Sequence, residues 1–186
     1  RAQLSIPNLH IPRSLRKAVR KTNYEIKINT AFKSVITQCA KPTKSRTETW
    51  INQNIIDTYT ALNDYGAAHS IEYWQDNKLQ GGLYGLSLGG AFFGESMFSR
   101  VPNASKIALI YLCATLWAGG YTLLDTQFTN PHLEQFGIIE IPHDEYMKQL
   151  KTALSIKSDF TLTTQNQTEI LENYQKTENK SLNHNI

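Results

Sequence analysis

The sequence predicts one α+β domain in which helices flank a mixed β-sheet. Three consecutive segments read as strands, and the turns Asp76-Asn77 and Gly89-Gly90 separate them, which predicts an antiparallel meander. These strand segments are residues 68–75, 79–88 and 91–98. An amphipathic helix over residues 49–65 precedes the meander, and an apolar helix over residues 104–118 follows it. A meander between two such helices is typical of a layered α+β domain.

Shorter elements are predicted on either side of this central part. A basic helix over residues 13–21 leads into a strand through Tyr24, Ile26 and Ile28, and a helix over residues 30–40 follows.

After the apolar helix, the predicted order continues with a strand over residues 121–128 and a short helix from Asn130-Pro131, where proline suits the first turn. A last strand at residues 137–141 and a helix from Pro142 complete the domain.

The domain is predicted to span residues 13–151, with a polar loop at 41–48. Residues 1–12 contain two prolines and read as an extended entry to it. Residues 152–186 are rich in Thr, Gln and Asn, so most of this tail is predicted to be loosely ordered, apart from a possible short helix at 168–176.

Composition excludes several classes of protein. The chain has 186 residues, of which 40% are hydrophobic, enough for one domain with a sizeable core. Its net charge of +3 is too small to indicate a nucleic-acid partner by itself. The two cysteines, Cys39 and Cys113, form no CxxC pair, which predicts buried thiols in a reducing, cytoplasmic setting. The longest apolar stretch, residues 107–120, is too short to span a bilayer.

A series of short motifs carries a family resemblance. They occur in the order HSIEYW (69–74), GGLYG (81–85), GESMFSR (94–100), SKIAL (105–109) and LLDTQFTNPH…GIIEIP (123–142). Together with SLRKAVRK before YEIKINTAF, they resemble the leucyl/phenylalanyl-tRNA–protein transferases over roughly residues 9–150.

This resemblance implies transfer of Leu, Phe or less often Met from aminoacyl-tRNA to an acceptor protein beginning with Lys or Arg, which marks that protein for N-end-rule degradation. It implies a monomer with an acyl-CoA N-acyltransferase-like (GNAT-like) fold, which the order of elements also matches. Because an aminoacyl ester is already activated, no metal or nucleotide cofactor is expected.

The sequence departs from the family pattern in places. The family usually carries a Trp-Trp-Ser-Pro-x-Pro-Arg segment of which Arg1 alone could remain, so residues 1–12 are predicted to be the remnant of an N-terminal segment. Pro12 stands where Ser is common, Gln135-Phe136 replaces Ser-Leu, and His143 replaces an Arg. None of these changes falls on a residue assigned to chemistry.

The resemblance makes Asp125 and Gln127 the catalytic pair. At positions i and i+2 of a predicted strand they should project from one face, so that Asp125 could orient and polarise Gln127, whose amide oxygen meets the attacking amine. The alternative is that both cap the helix at Asn130 or form an ordinary polar pair.

Glu95 lies in an otherwise apolar strand, where an acid is costly unless it is paired. It could bind the cationic N-terminal residue of the acceptor. The alternative is an ion pair with Arg100.

Four apolar residues are candidates for the pocket that takes the Leu or Phe side chain, although such residues are more often core. They are Leu83, Met97, Leu112 and Leu116. Trp50 corresponds to a family position that contacts the terminal adenosine, where base stacking is physically sensible. Its alternative role is to anchor the long helix.

A basic helix face is predicted to contact tRNA phosphates. Its residues recur at i, i+4, i+7 and i+8, with Arg16 beside them: Arg13, Lys17, Arg20 and Lys21. The alternative is a merely solvated surface. His69, His132 and Cys113 have no spacing that suggests a metal site or Cys–His catalysis. His132 is predicted either to be structural or to support the site residues from behind them, and the other two to be core or surface residues.

Two other functions stay open. An acyl-CoA N-acyltransferase would need an Arg/Gln-x-x-Gly-x-Gly/Ala turn to grip pyrophosphate, and the corresponding turn, Arg100-Val-Pro-Asn-Ala-Ser, lacks those glycines. A catalytically inactive tRNA-binding module is the non-enzymatic alternative.

Overall fold

A computed structural model describes residues 1–21, 23–43, 47–160 and 167–182 of the chain. Its strands are β1 (Ala2–Leu4), β2 (Glu25–Ile28), β3 (Ala68–Gln75), β4 (Lys78–Leu88), β5 (Ala91–Ser99), β6 (Leu123–Gln127) and β7 (Ile139–Glu140). Its helices are α1 (Arg13–Val19), α2 (Phe32–Cys39), α3 (Gln53–Asp64), α4 (Ala104–Ala118), α5 (Pro131–Glu134), α6 (His143–Leu154) and α7 (Gln167–Leu182).

The strands of the described residues form one mixed sheet in the order β2-β3-β4-β5-β6-β1-β7. The pairs β2–β3, β3–β4 and β4–β5 are antiparallel, which confirms the predicted meander. Strand β6 then pairs parallel with β5, because α4 carries the chain back across the sheet. Strand β1 pairs antiparallel with both β6 and β7, so residues 2–4 lie inside the sheet. The mixed sheet with its helices confirms the α+β class.

Helices cover both faces of the sheet. Leu83 and Tyr84 are neighbours on β4, so their side chains point to opposite faces. Leu83 belongs to the core that α4 fills, whereas Tyr84 belongs to the core that α2 and α3 fill. Most of α4 is buried because the sheet lies on one side of it and α1 and α7 pack against it elsewhere. This explains why α4 is apolar on all sides instead of amphipathic.

The long helix before the meander is shorter than predicted. It begins at Gln53 because the Asn52 side chain accepts a hydrogen bond from the Ile55 amide at 3.0 Å and caps it. Trp50 therefore lies outside the helix and is 52% exposed, so it does not anchor the helix through burial. Residues 44–46 of the predicted polar loop lie outside the described residues.

Part of the polar tail packs on the domain, which corrects the prediction of loose order for that part. Tyr174 of α7 is fully buried, and its hydroxyl donates to the Ile6 carbonyl at 2.5 Å. Phe160 stacks on His69 with ring centroids 4.0 Å apart. The sequence pattern did not predict this packing, because a few apolar residues are enough to hold α7 against the apolar surface of α4. Residues 161–166 and 183–186 of the tail lie outside the described residues.

The two cysteines and the apolar helices complete the description of the fold. Cys39 and Cys113 are both buried, as predicted. Among the described helices, none is both long enough and apolar enough to cross a membrane.

Candidate active site

A cavity of about 400 Å³ opens where α4 crosses the sheet, a size within the range of small-ligand sites. Strands β4, β5 and β6 and helices α4 and α5 contribute its walls. Its lining residues are Leu83, Tyr84, Gly94, Glu95, Ser96, Met97, Phe98, Ser99, Ser105, Leu109, Leu112, Leu124, Thr126, Asn130, His132 and Leu133.

Three of the four predicted pocket residues line this cavity, namely Leu83, Met97 and Leu112. Leu83 and Met97 are partners in the β4–β5 register, so the ladder places them side by side. Leu116 does not line this cavity, because it lies one helical turn beyond Leu112 along α4.

Leucines that the sequence prediction missed complete the apolar wall: Leu109, Leu124 and Leu133. Leu109 lies three residues before Leu112 on α4, a spacing that was visible in the sequence. Leu124 carries no such signal, because the parallel pairing of β6 with β5 decides its position, and Leu133 lies on the short helix α5 that follows β6.

Glu95 lies on the cavity wall without a cationic partner among the described residues. Its carboxylate accepts hydrogen bonds from the Tyr59 hydroxyl at 2.9 Å and from Nε2 of Gln127 at 3.2 Å. Burial, and then the charge of Glu95, raise the pKa of Tyr59, which therefore stays a protonated donor. The alternative ion pair with Arg100 is absent, because that guanidinium donates to Oε1 of Gln38 at 2.6 Å.

Asp125 is fully buried directly behind this wall. Its Oδ2 accepts from the Arg1 guanidinium at 2.9 and 3.1 Å and from the Tyr146 hydroxyl at 2.5 Å. Its Oδ1 accepts from the backbone N–H of Gln127 at 2.6 Å. Burial, and then the bond to Asp125, raise the pKa of Tyr146 to about 12, so that this phenol is a donor at neutral pH.

The contact between the predicted catalytic pair therefore differs from the one expected. Gln127 has a φ of +68°, so the regular strand ends there and the same-face argument no longer applies to it. The Asp125 carboxylate accepts a hydrogen bond from the backbone N–H of Gln127, while the side chain of Gln127 donates to Glu95. The alternative that the pair caps α5 is wrong, because Asn130 caps it with its own side chain at 3.0 Å from the Leu133 amide.

A left-handed conformation is costly for a residue with a side chain and persists only where the surroundings enforce it. Here Oδ1 of Asp125 supplies that constraint, and the result is a continuous chain of hydrogen bonds from Asp125 through Gln127 and Glu95 to Tyr59. Tyr59 was not predicted as a site residue, because no local pattern connects a residue of α3 with one of β5.

Two residues that line the cavity, Thr126 and His132, each carry a buried side-chain atom that has no hydrogen-bond partner in the described part of the chain. These atoms are Oγ1 of Thr126 and Nε2 of His132. Burial, and then the nearby charge of Lys106, lower the pKa of His132, so that its imidazole is neutral at pH 7. The sequence predicted His132 to be structural or to lie behind the site residues, and the fold places it on the cavity wall itself.

The basic helix α1 presents its charged residues to solvent while Leu15 and Val19 are buried beneath it. Arg13, Lys17, Arg20 and Lys21 are exposed, although Arg20 and Lys21 follow the end of the helix. Arg16 is half-buried, since its Nε donates to the Ile11 carbonyl at 3.1 Å.

A second groove of about 430 Å³ adjoins the cavity along β5. It shares Met97, Phe98 and Ser99 with the cavity, and the cations Lys41 and Arg100 also line it. A search of the described residues finds no group of three or more His, Cys, Asp or Glu side chains that could hold a metal ion.

Comparison with known proteins places the chain beside one family. A family model described as leucyl/phenylalanyl-tRNA protein transferase matches residues 3–151. The chain is 51% identical over 160 residues to a leucyl/phenylalanyl-tRNA–protein transferase from Hyphomonas neptunium, a match that covers 86% of this chain and 62% of that protein. Similar proteins of the same name occur in Phenylobacterium zucineum (52% over 160 residues, 86% and 72% covered) and Chlorobaculum tepidum (50% over 160 residues, 86% and 82% covered).

Proposed function

We propose, because this chain belongs to the leucyl/phenylalanyl-tRNA protein transferase family, that it transfers Leu, Phe or less often Met from aminoacyl-tRNA to acceptor proteins that begin with Arg or Lys. The modified N-terminus then marks the acceptor for N-end-rule degradation. The reaction is aminolysis of an activated ester, so it requires no metal or nucleotide cofactor. The protein has to position the two substrates, accept a proton and stabilise the tetrahedral oxyanion.

The observation that carries this proposal is the Glu95 carboxylate on the wall of a leucine-lined cavity, which has no cationic partner within residues 1–21, 23–43, 47–160 and 167–182. The apolar side chain of the aminoacyl group fits against Leu83, Met97 and Leu112, where size and apolarity admit both Leu and Phe. The cationic end of the acceptor then lies beside Glu95, whose charge is otherwise balanced only by hydrogen bonds.

Asp125 and Gln127 have different tasks in this scheme. Gln127 holds Glu95 through its amide nitrogen, which leaves its amide oxygen to accept a hydrogen bond from the attacking amine. Asp125 acts as a positioning residue, because it is buried and contacts Gln127 only through the backbone.

The tRNA is expected to bind across α1 and the second groove. Lysine and arginine on the exposed face of α1 contact phosphates of the acceptor stem without reading its sequence. The cations Lys41 and Arg100 contact the 3′ end, and exposed Trp50 stacks on the terminal adenine. Among the predicted cations, Arg16 is expected to contribute least, since its guanidinium already binds the Ile11 carbonyl.

We further propose that the α+β domain has the GNAT-like fold and acts as a monomer in the cytoplasm. The order of a meander, a helix and a parallel strand β6 supports the fold assignment. The compartment follows from the substrate, since charged tRNA is produced where translation occurs.

The test is transfer of radiolabelled Leu from Leu-tRNA to two peptides that differ only in beginning with Arg or Ala. Wild-type protein is expected to label the Arg peptide alone. Glu95→Gln keeps the shape of the side chain but removes its charge, so the preference for Arg over Ala should largely disappear. Glu140→Gln is the matched control, because Glu140 is exposed on β7, away from the cavity lining.

Label on neither peptide, while Leu-tRNA still binds, would instead support the inactive tRNA-binding module. An unchanged Arg preference in Glu95→Gln would contradict the assignment of Glu95 to the acceptor. Stabilisation against heat by CoA and not by Leu-tRNA would support the acyl-CoA alternative.

A further inference from the structure

The proposed reaction needs a group that accepts a proton from the attacking amine, and the described cavity offers few. Asp125 is buried and already accepts hydrogen bonds from Arg1, Tyr146 and Gln127. The amide of Gln127 can accept a hydrogen bond but is too weak a base to take up a proton. Among the lining side chains, only Glu95 and His132 carry a group that ordinarily titrates below pH 8.

These two groups differ in basicity and in their present contacts. Outside a protein, an imidazole is a stronger base than a carboxylate. Glu95 also accepts hydrogen bonds from Tyr59 and Gln127, whereas Nε2 of His132 is buried without a partner in the described part of the chain. A buried polar atom without a partner costs free energy, which a substrate N–H can recover on binding.

We propose that His132, acting within the proposed transferase reaction, accepts the proton of the attacking amine and returns it to the tRNA oxygen. The neutral α-amine attacks the ester carbonyl, so that a C–N bond forms and the carbonyl π electrons move to oxygen. One amine proton passes to Nε2 of His132. The tetrahedral intermediate then collapses, the bond to the 3′ oxygen of the tRNA breaks, and that oxygen takes the proton from His132.

The charges around His132 suit this cycle. Lys106 of α4 lies nearby and disfavours the imidazolium, while its Nζ donates to Oε1 of Gln135 at 3.2 Å. Glu95 lines the same cavity from β5, and Glu134 on α5 itself is exposed. Burial and Lys106 keep the resting imidazole neutral, and they favour prompt return of the proton to the leaving oxygen.

The decisive experiment is the pH dependence of single-turnover transfer from Leu-tRNA to a peptide beginning with Arg. For the wild-type protein, the logarithm of the rate should rise with pH with a slope of about 2 below the pKa of His132, because both His132 and the amine must lose a proton. Above that pKa the slope should fall to about 1, until the α-amine itself titrates near ~8.

His132→Gln, which keeps a polar side chain of similar length, should be slower by about 10²–10⁴-fold at pH 7 and show a slope of about 1 throughout. Leu-tRNA binding should be unchanged. His132→Ala should recover part of its rate when free imidazole is added. His10→Gln is the matched control, because His10 is exposed and does not line the cavity.

A His132→Gln protein with the wild-type rate and pH profile would overturn the inference while leaving the proposed function intact. Loss of Leu-tRNA binding together with transfer, without rescue by imidazole, would assign His132 a structural role and also overturn the inference. Absence of transfer by the wild-type protein would overturn the proposed function itself.

Discussion

Replacement of Tyr146 by Phe tests the buried network that holds Gln127 in place. The phenol donates at 2.5 Å to Oδ2 of Asp125, a fully buried carboxylate. Hydrogen bonds to charged groups contribute about 1.5–3 kcal/mol to stability. Since Asp125 keeps its bonds from Arg1 and from the Gln127 amide, we expect Tyr146→Phe to lower the free energy of unfolding by about 2 kcal/mol.

For a chain of this length, a loss of about 2 kcal/mol corresponds to a fall in Tm of roughly 4–8 °C. Urea unfolding followed by circular dichroism would measure the free energy, and a thermal scan would measure Tm. Tyr121→Phe is the matched control, because Tyr121 is equally buried but its hydroxyl meets the neutral hydroxyl of Ser87 at 2.7 Å. Its expected loss is about 0.5–1.5 kcal/mol.

A loss in Tyr146→Phe no larger than that in Tyr121→Phe would refute the reasoning. It would mean that Asp125 does not depend on the phenol for its charge balance, and that Arg1 and Gln127 suffice to hold it.

Other perturbations test separate parts of the site. Leu112→Ala should enlarge the cavity and shift the preference between Leu-tRNA and Phe-tRNA in a competition assay, whereas Leu116→Ala should destabilise the protein by about 2–5 kcal/mol without changing that preference. Arg13→Gln with Lys17→Gln should weaken tRNA binding and make the salt dependence of binding shallower, as titrations at several ionic strengths would measure. Burial lowers the pKa of His69 from its ordinary value of 6.5 to about 4. As pH drops from 6.5 towards 4, the unfolded state therefore takes up this proton before the folded state does, and the free energy of unfolding should fall. His69→Gln should flatten that decline in urea titrations, and an equally steep decline would contradict it.

Local sequence signals predicted helices and strands well where the secondary structure of a residue depends mainly on its neighbours along the chain. The meander β3–β5 and the bounds of α4 follow from alternation, turn residues and a run of apolar side chains. The sequence predicted too early a start for α3, because the apolar periodicity extends back to Trp50. The helix begins only after Asn52, whose side chain accepts a hydrogen bond from the Ile55 amide and caps it.

The sequence indicated which residues belong to the candidate site better than it indicated the contacts between them. Resemblance indicated Asp125 and Gln127, and the apolar strand around Glu95 indicated that acid. Their roles stay predictions, but the structure links the three residues by contacts that spacing along a strand did not suggest. The left-handed backbone at Gln127 is one reason, since a single unusual φ redirects the side chain after it. His132 was predicted to be structural or to lie behind the site residues, because nothing beside it in the sequence reveals that it lines a cavity.

The sequence by itself determined the family, the α+β class and the apolar character of α4, because motif order and periodicity are properties of residues near one another in the chain. Only the tertiary structure decided that Leu112 faces the cavity while Leu116 does not, and that Glu95 meets Tyr59 and Gln127. The physical reason is that these contacts join elements far apart in sequence. Their geometry depends on how α4 crosses the sheet and how β6 pairs with β5, which no local pattern encodes.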